Sequence, residues 1–202
     1  MFSQLSIDRI ARAQKLLRWW LSRSRLPSWA IYSPGGCGTQ YMRRYLTECY
    51  WDYRCNLIPE TNADSHAPFC DRLVSRSRSQ RTVYLFSDPY DAVISFFRRR
   101  EKLGDHWVRA HSKHLGGAYQ QLSAEYNLGQ FLANGRDLLG LVENVQSWLN
   151  ASLPTPVIYV KYEGLSQENN QKRLLRFLGV EESAWQPLQW RPRNSSWEEY
   201  PE

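Results

Sequence analysis

The chain has 202 residues, 42% of them hydrophobic and 23% charged, and its formal net charge at pH 7 is +6. This length and composition suit a globular protein with a substantial core, so we expect residues 1–202 to form a single domain. No apolar run approaches the roughly 18–20 residues that cross a bilayer, which excludes a membrane-spanning helix on sequence grounds. The positive charge favours an anionic partner: a nucleotide, a nucleic acid, an acidic glycan or a membrane surface.

The first predicted element is a basic amphipathic helix within residues 1–26, with helical periodicity near 6–23. Such a helix can make peripheral contact with an anionic membrane through residues 7–25, or it can pack its apolar stripe on its own domain. The N-terminus has no continuous apolar segment typical of a signal peptide, and the four cysteines form no C-x-x-C pair. We therefore expect free thiols in a reducing, cytoplasmic location.

The rest of the chain alternates between strands and helices. Short β-branched and aromatic runs predict strands at 29–33, 55–58, 82–86 and 156–161. Helical periodicity predicts helices at 38–50, 67–78, 88–102, 128–134, 136–150 and 167–178, the last capped by Gly179. The segment 103–127 reads as a loop with some helix, and residues 186–202 as an irregular tail. This alternation predicts an α/β fold with a central parallel sheet of about four to five strands flanked by helices.

A glycine-rich turn joins the first strand to the next helix, in the stretch Tyr32–Met42. Such a loop can aim consecutive backbone N–H groups at a phosphate or sulfate, and its glycines let the backbone approach the anion closely. It lacks the Lys of the G-x-x-x-x-G-K-[ST] phosphate loop. An anion-binding loop and an ordinary strand-to-helix turn both remain open from these residues alone.

Several separated segments together resemble the sulfotransferases. Gly36–Met42 is similar to the family's 5′-phosphosulfate loop, Lys-x-Gly-Thr followed by an aromatic residue. Ser87–Phe97 is similar to its 3′-phosphate motif, Arg-[Asn/Asp]-Pro with a Ser eight positions after the Arg. Val160–Leu165 and Arg176–Gly179 resemble its Tyr-Glu-Asp-Leu and Phe-Leu-Gly signatures, and Gly140–Trp148 its helix with a Gly and a Trp. The resemblance covers residues 28–180.

The resemblance implies a P-loop-like three-layer fold. It also implies transfer of a sulfuryl group from 3′-phosphoadenosine 5′-phosphosulfate (PAPS) to a hydroxyl or amine of an acceptor that the sequence does not identify. His66, in Ser65-His66-Ala67-Pro68, matches a Thr-His-x-Pro motif and becomes the candidate general base, with His106 next in line. The expected donor-binding residues are Gly35, Gly36, Cys37, Gly38, Thr39, Gln40, Ser87 and Ser95.

Two departures remove positive charge from this site. Gly36 stands where relatives carry the loop Lys, and Ser87 stands where they carry the Arg that binds the 3′-phosphate. Several arginines can replace the missing cations: Arg43 and Arg44 after the loop, Arg98 to Arg100 after Ser95, and Arg191 and Arg193 in the tail. In relatives a basic tail segment folds back on the 3′-phosphate, so Arg191 and Arg193 are the first candidates. The alternative is a catalytically degenerate sulfotransferase-like domain that binds an anionic ligand or partner.

Three other functional interpretations have less support. Cys37 and Arg43 fit the Cys-x5-Arg spacing of phosphatases, but the intervening residues are too bulky for that loop. His111 and His114 lack further metal ligands with recognisable spacing, so we expect no metal. The Ser-Arg run at 75–81 is more typical of a solvated helix end than of a nucleic-acid contact, so nucleic acid is not an expected partner.

Overall fold

The computed structural model describes residues 28–50, 56–58, 66, 81–104, 127–153, 155–192 and 197. The predicted helices at 6–23 and 67–78 and most of the segment 103–127 lie outside these residues. Four strands are described: β1 (Ser28–Tyr32), β2 (Asn56–Ile58), β3 (Arg81–Phe86) and β4 (Val157–Lys161). The described helices are α1 (Thr39–Tyr50), α2 (Pro89–Leu103), α3 (Leu128–Asn134), α4 (Leu141–Leu149) and α5 (Glu168–Leu178), and 3-10 turns span Glu163–Ser166 and Glu182–Ala184.

The strands form one sheet in the order β2-β1-β3-β4, and every neighbouring pair is parallel. The predicted α/β class with a parallel sheet is therefore confirmed. β1 and β3 lie in the centre of this sheet. Four residue pairs align these two strands, from Trp29↔Arg81 to Tyr32↔Tyr84. Because parallel strands end at one edge, the turn after β1 and the turn after β3 emerge next to each other.

Helices pack on both faces of the sheet. Successive side chains of a strand point to opposite faces, and β1 follows this rule. Trp29 and Ile31 join a core cluster with buried side chains of α1 and α5, whereas Ala30 and Tyr32 join one with Trp148 of α4. α2 and α3 share a third cluster, which contains Phe96, Phe97 and Phe131. Among the helices that the structure describes, none is long and apolar enough to cross a membrane.

The ends of two helices follow the predicted capping signals. The Asp88 side chain accepts the Tyr90 N–H at 2.9 Å, and Pro89 occupies the first turn of α2. Gly179 ends α5 in the left-handed conformation, as predicted.

The predicted start of the helix at 136 is wrong. The Asp137 carboxylate instead accepts the N–H groups of Leu141 and Val142 at 2.8 and 2.6 Å, so it caps a helix that begins at 141. Gly140 turns the chain just before that helix, in the left-handed conformation with φ +63°.

Candidate functional site

The glycine loop leaves the carboxyl end of β1 and enters α1 at Thr39, as predicted. At two positions of the loop, neighbouring atoms lie so close that a side chain larger than that of glycine would be crowded. A Cβ atom on Gly36 would lie 3.2 Å from the Ala92 backbone of α2, and one on Gly38 would overlap the Tyr162 ring. Both glycines also have positive φ, at +68° and +78°. The loop is therefore held between the first turn of α2 and the end of β4.

Ser33 joins the loop to His66. The Ser33 hydroxyl lies 2.6 Å from the Thr39 hydroxyl and 3.0 Å from His66 Nδ1, and it accepts the Gly35 N–H at 3.3 Å. His66 Nδ1 also lies 3.3 Å from the Ser33 carbonyl oxygen. The structure thus places the predicted general base directly beside the predicted anion-binding loop.

The contact with the Ser33 carbonyl indicates which nitrogen of His66 carries a hydrogen. A carbonyl oxygen can only accept, so the contact with Ser33 O requires a hydrogen on His66 Nδ1. In the neutral imidazole, Nε2 then carries the lone pair and is the basic nitrogen. The Ser33 hydroxyl accepts the Gly35 N–H and shares a hydrogen bond with the Thr39 hydroxyl, in which either oxygen can be the donor. The arrangement supplies one proton acceptor and a pair of hydroxyl groups at the loop.

Ser87 follows β3 and lies against the loop. Its hydroxyl donates to Cys37 Sγ and to the Asp88 carbonyl, both at 3.3 Å. The Cys37 thiol in turn donates to the Gly35 carbonyl at 2.9 Å. Cys37 is thus a buried cysteine whose sulfur contacts groups of the protein itself, and this gives no support to a nucleophilic Cys37 of the phosphatase kind.

Ser95 lies on the buried side of α2, which touches the loop through Ala92. Ser95 is three residues further along the helix, about 4.5 Å along its axis. Gly36 and Ser87 therefore lie together at the ends of β1 and β3, and Ser95 lies nearly one helical turn beyond the contact of Ala92 with Gly36. Gln40 is exposed in the first turn of α1.

The tail approaches the same region. The Tyr162 hydroxyl donates to the Arg191 carbonyl at 3.0 Å, and the Tyr162 ring is the one that lies against Gly38. The Arg191 side chain is exposed. Further along, the Trp197 N–H donates to Asp91 Oδ1 of α2 at 2.8 Å. The tail is thus anchored on both sides of the loop, whereas Arg193 lies outside the described residues.

Two further cations lie in α1, Arg43 and Arg44. Arg43 is half-buried, and burial lowers the pKa of its guanidinium from the ordinary value. It remains positively charged at neutral pH, because arginine does not lose its proton there. Arg44, beside it, is exposed. In the described part of the chain, no group of three or more His, Cys, Asp or Glu side chains could hold a metal ion.

Two residues of this region were not predicted. Ser33 directly precedes the Pro-Gly turn, and its position at a strand end could have marked it as a loop hydroxyl. Asn144 is almost fully buried on α4, and its side-chain N–H donates to the His66 carbonyl at 2.9 Å. A polar residue on the otherwise apolar inward face of this helix is the signal that could have found it.

Comparison with known proteins assigns the family. The model of the sulfotransferase domain family matches residues 56–191, which is more than half of the chain. The protein therefore belongs to the sulfotransferase domain family. The match contains His66, Ser87, Ser95 and Arg191, whereas the glycine loop precedes it. No match to a curated protein or to a solved structure was found.

Proposed function

We propose that this protein transfers a sulfuryl group from PAPS to a hydroxyl or amine of an acceptor. The observation that carries the proposal is the position of His66, whose Nδ1 lies 3.0 Å from a hydroxyl of the glycine-loop network. A base at an anion-binding loop is the arrangement that transfer of an anionic group to a hydroxyl needs. Membership of the sulfotransferase domain family supports the same reaction.

The glycine loop would hold the 5′ end of the donor in the P-loop-like manner of the family. We assign this role to the N–H groups of residues 36–40 and to the Thr39 hydroxyl. These groups lie at the N-terminus of α1, where the helix dipole favours an anion. Donors fixed in this way also stabilise the charge that develops on the leaving phosphate.

Ser87 and Ser95 would face the 3′-phosphate. Two hydroxyl groups offer neutral hydrogen bonds, which are weaker than the charged contacts of an arginine. The exposed Arg191 side chain starts beside Tyr162 and Gly38, so it can reach a ligand bound at the loop. We therefore assign to Arg191, with Arg193, the positive charge that Gly36 and Ser87 do not supply.

His66 would act through Nε2. As the acceptor oxygen or nitrogen forms its bond to sulfur, the bond between sulfur and the phosphate oxygen breaks, and Nε2 takes the acceptor proton. The products are the sulfated acceptor, adenosine 3′,5′-bisphosphate and a protonated His66. The bonds of Nδ1 to Ser33 hold the ring in the tautomer that this step requires.

A second function is favoured by the two missing cations. With Gly36 and Ser87 at the positions of the family's Lys and Arg, the domain can bind an anionic ligand or partner without turnover. Ser87 already bonds to Cys37 and Asp88, which is the bonding of a structural residue. Binding of adenosine 3′,5′-bisphosphate without transfer to any acceptor would distinguish this function from the first.

The direct test is transfer of labelled sulfate from PAPS to a panel of phenols, alcohols, amines and glycans. We expect at least one labelled product with the parent protein and a strongly reduced yield with His66→Ala. Nucleotide binding without a product from any acceptor would favour the non-catalytic domain. Equal yields from the parent and His66→Ala would remove His66 from the mechanism.

A further inference from the structure

The side-chain amide of Asn144 on α4 makes hydrogen bonds through both its oxygen and its nitrogen. It is 1% exposed, and its Oδ1 accepts the Tyr84 hydroxyl at 2.7 Å while its Nδ2 donates to the His66 carbonyl at 2.9 Å. The His66 carbonyl can only accept, so the amide nitrogen must face it and the amide oxygen must face Tyr84. A chain of hydrogen bonds therefore runs from Tyr84 through Asn144 to His66.

The sequence around α4 explains why the Asn144 side chain faces Tyr84 and His66. The Asp137 cap fixes the first turn of the helix, as described above. Asn144 and Trp148 are four residues apart and so share one helical face. Trp148 is fully buried, and its ring centroid lies 4.5 Å from that of Tyr32 and 5.2 Å from that of Tyr84. This packing fixes the rotation of α4 and turns Asn144 toward the end of the sheet.

Tyr84 anchors the other end of the chain in the central strand β3. Its side chain is fully buried, and burial, followed by the nearby Cys37, raises the pKa of its hydroxyl well above the ordinary 10.0. The hydroxyl keeps its proton across the working pH range and donates to Asn144. Because both groups are buried, the bond holds the amide in one orientation.

We infer that Asn144 is a positioning residue for His66, and that Tyr84 orients Asn144. His66 is then held at two points: Asn144 holds its backbone carbonyl, and Ser33 holds its ring nitrogen. The rigid packing of α4 on the sheet sets where the basic Nε2 lies relative to the loop. This inference rests on the proposed role of His66 as the base.

The test is the double variant Asn144→Leu with Tyr84→Phe, in which Leu has nearly the shape of Asn and no buried hydroxyl is left without an acceptor. We expect kcat to fall about tenfold to a hundredfold, the loss typical of a misplaced catalytic group. The Kd for adenosine 3′,5′-bisphosphate should stay within about twofold, because the loop is untouched. Gln146→Leu, at an exposed position of the same helix, is the matched control and should change neither value.

An unchanged kcat in the double variant would overturn the inference, and so would equal losses of kcat and nucleotide affinity, which mark a merely structural role. If the double variant does not fold, Tyr84→Phe alone should lower kcat several-fold at constant Kd, and an unchanged kcat there would overturn the inference.

A second readout separates the failure of this inference from the failure of the proposed function. The ring signals of the four histidines can be followed by NMR, with His66→Gln assigning the signal of His66. We expect only the His66 signal to shift in the double variant. A shift would support the positioning role even if the parent protein transfers no sulfate, and an unchanged spectrum would overturn it.

Discussion

Ser33 is the residue on which the proton arrangement of the site depends. It touches Gly35, Thr39 and His66 at once, and its carbonyl determines which nitrogen of His66 is basic. The resulting hypothesis is specific: Nε2 accepts the proton of the acceptor, while the loop holds the donor. Two predictions follow at this scale, one on the base and one on the loop.

His66→Ala should lower kcat by about a hundredfold to ten-thousandfold, which is the usual contribution of a general base. Nucleotide affinity should stay nearly unchanged, because the loop N–H groups remain. Steady-state kinetics and calorimetry on the same preparations measure the two quantities. His106→Ala serves as the control, and a reversed pattern, with His106 essential and His66 dispensable, would move the role of base to His106.

Gly38→Ala should abolish nucleotide binding and lower the thermal midpoint. The new methyl group would overlap the Tyr162 ring at a backbone φ of +78°, which disfavours any residue other than glycine. The control is Gly129→Ala in α3, where the nearest atom lies 3.4 Å away and alanine is the better helix former. That variant should be neutral or more stable, and equal damage in both would contradict the account of the loop.

Part of the site could be predicted at the residue scale. The glycine turn, His66, Ser87 and Ser95 lie in local motifs that resemblance to the sulfotransferases identifies. Local signals mark Ser33 and Asn144 as polar residues of interest, but their contacts with His66 could not be predicted, because His66 is 33 and 78 residues away from them in the chain. Such contacts depend on how α4 and β1 pack, and a local sequence pattern does not encode that packing.

At the scale of elements, the described start of the tail, residues 186–192, is held by hydrogen bonds from side chains to its backbone and by the burial of Leu188 in the core. Three tyrosines of α1 donate to its carbonyl groups: Tyr41 to Gln189, and Tyr45 and Tyr50 to Gln186. Gln171 of α5 donates to the Leu188 carbonyl and accepts the Leu188 N–H. Residues 186–192, the described start of the tail, are thus held in place without forming a strand, which agrees with the lack of periodicity in their sequence.

Tyr45 makes this docking sensitive to alkaline pH. Burial, and next the hydrogen bond with Tyr50, raise the pKa of Tyr45 above the ordinary 10.0. The folded protein keeps this proton when the unfolded chain loses it, so the stabilisation is complete below about pH 10 and is lost as pH rises further. The free energy of unfolding should therefore fall more steeply above about pH 10 in the parent than in Tyr45→Phe.

Denaturant titrations at about pH 8 and pH 11 measure this difference. Tyr90→Phe is the control, because Tyr90 is exposed and should leave the pH dependence of the parent unchanged. Identical pH dependence in the parent and Tyr45→Phe would show that the tail is not held by a buried phenol.

The observed ends of the helices show which boundaries a local sequence pattern can predict. α2, α3 and α5 lie close to their predicted ranges, because Pro89, Gly135 and Gly179 mark their ends by local backbone chemistry. The predicted start of α4 is wrong by five residues. Asp137 was counted as helical, although an Asp ahead of a Gly is equally suited to capping the next helix from outside.

At the scale of the whole molecule, the question is how a donor with several negative charges is neutralised. The net charge of +6 shows an excess of cations without locating them. The structure places the backbone of Arg191 beside Tyr162 and the backbone N–H of Trp197 against Asp91 of α2, so two described points of the tail lie near the loop. The proposal that Arg191 and Arg193 supply the missing positive charge rests on these two contacts.

Removing both tail arginines should weaken binding of adenosine 3′,5′-bisphosphate by at least tenfold. A charged hydrogen bond typically contributes about 1.5–3 kcal/mol, and about 1.4 kcal/mol corresponds to a factor of ten. Arg191→Ala with Arg193→Ala should have a much smaller effect on adenosine 5′-phosphate, which lacks the 3′ group. Arg173→Ala, an exposed arginine of α5, is the control and should change neither affinity.

The most direct test of the central claim is calorimetric titration of the unmodified protein with adenosine 3′,5′-bisphosphate and, separately, with adenosine 5′-phosphate. The account predicts one site that binds the bisphosphate at least tenfold more tightly than the monophosphate, since only the bisphosphate engages Ser87, Ser95 and the tail arginines. Absence of binding, or equal affinity for the two nucleotides, would contradict the assignment of this loop and tail as a PAPS site.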